Sequence, residues 1–191
     1  MSKATATLDD KLAKEIGDQV SADLSMIIDR EMVIESVASE RSDARVAGEG
    51  SIHLSFKIEV LIGPDHHYGC LLMPLAEAVS VAGFLMVMTD EEVDEERKKT
   101  TLDRSMKDAM LEVGNFVGGS ADSIVRKWVG DAPMSARFSG CQGVAPGLVP
   151  NFTFAAGSEL IAARLQVRIS GFSPFQMILM LPSELVSGAE G

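Results

Sequence analysis

The sequence predicts an α/β fold of the α+β kind, internally duplicated about a pseudo-two-fold. It expects a central, mostly antiparallel sheet with two long helices on one face. Three observations carry this. Two long stretches place apolar residues in steps of three and four, the period of a helix with one buried side. Two others alternate apolar and polar residues, turn, and return as an apolar run that stops at a proline, Met73-Pro74 and Leu181-Pro182. The order helix, strands, hairpin occurs in both halves, and a repeated plan constrains a fold more than any single element. The half-repeats span about residues 8–88 and 102–186 of one 191-residue domain.

In chain order, Leu8 to Arg30 forms the first helix, with Leu12, Ile16, Val20 and Leu24 on its stripe. Met32-Val-Ile34 begins a short strand, and Arg41 to Gly50 is a loop. Ser51 to Ile62 alternates cleanly and is a half-buried strand. Gly63 to Gly69 is its turn, and Cys70 to Met73 returns. A helix follows over Leu75 to Met88. The charge run Asp90 to Lys99 is a solvated linker or a helix start, its acids suited to a helix N-terminal dipole. The second long helix runs roughly from Leu102 to Val129. Beyond it, Met134 to Phe138 is a strand, Gly140 to Gly147 a loop, and Phe152 to Ala155 a further strand. Ile161 to Ile169 is the second alternating strand, Gly171 to Pro174 its turn, and Phe175 to Leu181 its return. The tail from Ser187 to Gly191 is expected to fray.

Composition removes several function classes. A net charge of −11 without a basic patch argues against nucleic acid and against anionic membrane surfaces. The N-terminus has no apolar core of a secretory signal, and the longest apolar run, Ala78 to Met88, is too short to span a bilayer. Cys70 and Cys141 have no paired spacing, which suits a reduced, cytoplasmic compartment and a packing role. His53 lies in an alternating strand and His66-His67 in a turn. No partner spacing supports a metal site, and none is expected. Ser120 lacks the setting of a nucleophile.

The candidate site lies on the second long helix. Met106, Met110, Val113, Val117, Ala121, Ile124 and Trp128 fall within about an 80° arc of the helical wheel. Asp108, Glu112, Asn115 and Gly119 lie about 160–200° from its centre. A carboxylate and a carboxamide one turn apart thus share an outward ridge. Gly114, Gly118 and Gly119 surround the Asn. A mid-helix Gly costs about 1 kcal/mol relative to Ala, and close approach of another backbone is the usual gain. The first helix carries a second copy, Glu15-Ile-Gly-Asp18, with the same spacing but Asp in place of Asn and Lys11 where Asp108 would be.

The motif Asp108-xxx-Glu112-xx-Asn115 followed by Gly118-Gly119, together with its degenerate copy at Glu15 and Asp18, resembles the signature helix of the CheC/CheX/FliY family. The likeness covers nearly the whole chain. That family comprises chemotaxis phosphatases acting on a phosphorylated, CheY-type response regulator, and its fold has an internal two-fold. The resemblance implies that Asn115 orients the attacking water and that Glu112 pairs with a lysine of the regulator. Asp108, Gly114, Gly118 and Gly119 would contact the regulator, which supplies the Mg²⁺; the chain needs no cofactor of its own. A single intact motif is closer to CheX, whereas chain length and the first-helix remnant look more like CheC. Relatives of the fold also serve as structural parts of the motor switch, so a non-catalytic regulator-binding scaffold is the alternative. Pairing at a sheet edge would allow a homodimer.

Overall fold

A computed structural model describes residues 7–187. Six strands form one antiparallel sheet in the order β1-β5-β6-β3-β2-β4. They are β1 (Met32–Ser42), β2 (His53–Ile62), β3 (Asp65–Pro74), β4 (Met134–Val144), β5 (Leu160–Ile169) and β6 (Phe175–Pro182). The helices are α1 (Leu8–Ile28), α2 (Leu75–Leu85), α3 (Asp90–Glu96), α4 (Arg104–Val129) and α5 (Glu184–Ser187).

The strand order reads the same from either end once β1 is exchanged with β4, β2 with β5 and β3 with β6. Register follows the same exchange: Met32 faces Ile169 where Met134 faces Ile62. The hairpins β2–β3 and β5–β6 meet at the centre through Cys70↔Met180 and Leu72↔Ile178. Each edge strand crosses to the hairpin of the other half, β1 onto β5 and β4 onto β2. The halves are interlocked, and neither closes a sheet alone.

Alternation splits the sheet. Phe56, Ile58 and Val60 of β2 and Leu165 and Val167 of β5 join the main core under α1, α2 and α4. Cys70, Leu72, Ile178 and Met180 face the other way, in a smaller cluster covered by Val46, Phe152 and Phe154. Most of that core consists of aliphatic side chains, each contributing roughly 1.5–3 kcal/mol on full burial.

Several element boundaries differ from the sequence expectation. β1 runs to Ser42, because pairing with β5 holds a strand whose own alternation is weak and broken by a bulge between Ile34 and Ser36. β3 starts at Asp65, since Gly63, at φ 58, lets the chain reverse at once and Ile62 pairs with Asp65. The charge run forms α3, closed by a reciprocal cap between Thr89 and Glu92. β4 continues through Gly140 to Val144, with Gly140 at φ 147 beside a register shift opposite Lys57/Ile58. Residues 152–155 are not a strand; Phe152 is buried over the smaller cluster instead. α1 stops at Ile28 because Asp29 turns left-handed at φ 53. Of the tail expected to fray, Ser187 is the last residue of α5, and residues 188–191 lie outside the described ones.

Candidate functional site

α4 begins where the Asp103 side chain accepts from the Met106 N–H. Met106, Met110, Val113, Val117 and Ala121 are buried. Asp108, Glu112, Asn115 and Gly119 are exposed along the opposite ridge, as the helical period dictates. Among the described residues neither Glu112 nor Asn115 is hydrogen-bonded to another side chain. Asp108, 70% exposed, has only a loose 4.0 Å contact with Arg104 Nε.

The glycines divide. Gly114 and Gly118 are buried, and a Cβ on them would lie 2.4 Å from the Phe138 ring and 2.3 Å from the Phe138 backbone nitrogen. They let α4 settle on β4, so the close approach they admit in this structure is that of Phe138, and neither lies on the exposed ridge beside Asn115. The physical reason is rotation: both sit on the sheet-facing flank of the helix, beside the apolar stripe. Gly119 alone faces outward, with nothing within 4 Å of a would-be Cβ.

The first copy is built differently. Glu15 accepts from Lys127 Nζ and Trp128 Nε1, each at 3.1 Å. The Lys127 hydrogen bond first, and then that from Trp128, holds its carboxyl below the usual range. Asp18 accepts from Lys14 Nζ at 2.6 Å. Both carboxylates are thus engaged within the molecule.

α1 and α4 pack antiparallel, the start of α1 meeting the end of α4. At the crossing the Ser120 hydroxyl lies 2.6 Å from Asp23 Oδ2 and 2.8 Å from the Phe116 carbonyl oxygen, either of which can accept its proton. Asp23 Oδ1 accepts from Gln19 Nε2 at 2.9 Å. Asp23, Phe116 and Ser120 join Glu112, Asn115 and Gly119 around a shallow depression of about 230 Å³. Asp23 escaped the reading of the sequence. The repeat held the signal: Asp23 stands to Ser120 as Glu15 stands to Glu112.

A second polar cluster lies on the sheet face away from the helices. Buried Glu59 accepts from Arg137 Nε and from His66 at 2.6 Å. The Arg137 contact foremost, then His66, holds its carboxyl at about 2. Paired in this way, Glu59 is an anchor between β2, β3 and β4 and carries no proton at neutral pH. His53 is buried, 2.9 Å from the Ser51 carbonyl. Among the described residues no group of three or more His, Cys, Asp or Glu side chains is placed to hold a metal ion. None of the described helices is long and apolar enough to cross a membrane.

No protein-family model matches the sequence, and no curated protein matches it. The fold does match solved structures. FliY from Thermotoga maritima superposes with a TM-score of 0.67 at 16% identity, covering 98% of this chain and 96% of that one. The FliM middle domain from H. pylori gives 0.67 at 12% identity, covering 96% and 99%. The chemotaxis protein CheX from Desulfovibrio desulfuricans gives 0.57 at 12% identity, covering 91% and 99%. At these identities the likeness establishes a shared fold: the chain has the architecture of the CheC, CheX, FliY and FliM middle-domain proteins.

Proposed function

We propose that the chain is a phosphatase for the phosphoaspartate of a CheY-type response regulator, with Asn115 orienting the attacking water. The supporting observation is the exposed pair Glu112 and Asn115, without side-chain partners among the described residues, one turn apart on the open ridge of a helix whose other side is packed. Hydrolysis of an acyl phosphate needs little covalent help. Water attacks phosphorus in line, the bond from phosphorus to the aspartyl oxygen breaks, and inorganic phosphate, a carboxylate and a proton result. Positioning and charge stabilisation supply most of the rate. The Asn115 carboxamide can hold the water through one hydrogen bond while bringing no charge near the phosphoryl oxygens. A carboxylate there would repel them.

Glu112 would pair with a lysine of the regulator and fix the register. Asp108 would extend the contact along the ridge, and Gly119 would admit the regulator's backbone. The Mg²⁺ and its ligands belong to the regulator, so Asn115 has only the water to place. Such a partner is cytosolic, which agrees with the compartment expected from the cysteines.

The test is phosphate release from a panel of phosphorylated regulators, with Asn115→Ala as the control. Accelerated release that Asn115→Ala abolishes is expected. The likeness to the FliM middle domain favours a second reading, a regulator-binding or switch-like scaffold without catalysis. Regulator capture with no phosphate release would select it.

A further inference from the structure

A cavity lies on the other flank of α4, between its N-terminal half, the start of α2 and the ends of β2 and β4. Its volume is about 460 Å³. Small-molecule sites span roughly 300–1,000 Å³. Its wall is apolar, formed by Ile52, Leu54, Leu75, Leu102, Met110 and Leu111. Leu111 is 45% exposed. The polar rim consists of Thr100, Thr101 and Lys107.

Charge decides what fits. No Asp or Glu lines this cavity, in a chain with 28 of them and a net charge of −11. The neighbouring acid Asp108 leans toward Arg104, and among the described residues Lys107 has no ion-pair partner. A cationic ligand would meet no counter-charge here. An anion would find one unpaired ammonium and two hydroxyl donors beside a greasy wall.

We propose that this cavity binds an amphipathic monocarboxylate, its aliphatic chain against Leu54, Leu75 and Met110 and its carboxylate at Lys107 Nζ and the threonine hydroxyls.

Cys141 lines the cavity, whereas Cys70 is 0% exposed and faces the smaller cluster. Burial pushes the Cys141 thiol up to about 11 and that of Cys70 to about 12. Alkylation of the whole chain at pH 8 is therefore slow and falls on Cys141. Labelling is followed with octanoate and decanoate, and with decanol and decyltrimethylammonium as controls, all below their aggregation concentrations. Decanoate is expected to slow labelling saturably, and each added methylene to tighten binding roughly threefold to fourfold. Decyltrimethylammonium should give no protection. Lys107→Met, at an exposed position, should fold normally by its melting curve and lower decanoate affinity roughly tenfold. Equal protection by acid, alcohol and ammonium, protection by none, or a decanoate effect unchanged in Lys107→Met would each overturn the proposal.

Discussion

The two long helices present the same ridge to solvent, yet only one leaves it free. On α1, Glu15 is drawn to Lys127 and Trp128, Asp18 to Lys14, and Gln19 spans to Asp23. On α4, the matching positions hold Glu112 and Asn115, neither with a side-chain partner among the described residues, and Phe116, and Gly119 stands where α1 has Ala22. The difference teaches that a spacing of carboxylate and amide does not make a site. Neighbours that leave the pair unsatisfied, and a backbone bare enough to be approached, do. α1 keeps the spacing, but its Glu15 is tied across the helix pair to Lys127 and Trp128 and its Asp18 to Lys14 on α1 itself.

The comparison can be broken first at the amide. Asn115→Asp converts the α4 ridge to the residue found on α1, and regulator dephosphorylation should fall about a hundredfold or more in a phosphate-release assay. Packing beneath the ridge comes next. Gly118→Ala drives a methyl against the Phe138 backbone nitrogen and should cost about 1–3 kcal/mol in chemical denaturation. Gly17→Ala on α1 meets only side-chain atoms, Ile34 Cγ1 and Leu165 Cδ1 at 3.3 Å, and should cost far less. Gly119→Ala separates the two demands. Its methyl meets nothing internal, so melting should rise by the equivalent of about 0.5–1 kcal/mol, while regulator-dependent activity drops roughly tenfold.

The smallest effect is electrostatic. The Glu15 carboxyl is held below its ordinary value, so it stabilises the fold above the usual glutamate range. That contribution is lost as pH falls through its lowered folded value. With the carboxylate 39% exposed, Glu15→Gln should remove only about 0.5 kcal/mol at pH 7. The loss should shrink in acid melts. Glu112→Gln, with no side-chain partner among the described residues, should leave stability unchanged at pH 7 and in acid.

Much of this was legible in the sequence, for physical reasons. The stripes of α1 and α4 and the alternation of β2 and β5 are strong periodic signals, and they fixed the class of fold and the outward direction of Glu112 and Asn115. Edge strands were harder. β1 and β4 bury less on either face, so their patterns are weak, and their crossing to the opposite hairpin is a long-range choice that no local window records. The packing of Gly114 and Gly118 was hidden because spacing around Asn115 says nothing of which flank meets β4; only Phe138, distant in sequence, settles that. Asp23 was invisible for the same reason, since its meaning depends on Ser120 across the helix pair.

The most direct test is one phosphate-release series on a phosphorylated CheY-type regulator with wild type, Asn115→Ala and Asp18→Asn. Release by wild type, its loss in Asn115→Ala and no gain in Asp18→Asn is the expected result, because the α1 ridge is already occupied by its own neighbours. Unchanged release in Asn115→Ala would contradict the account.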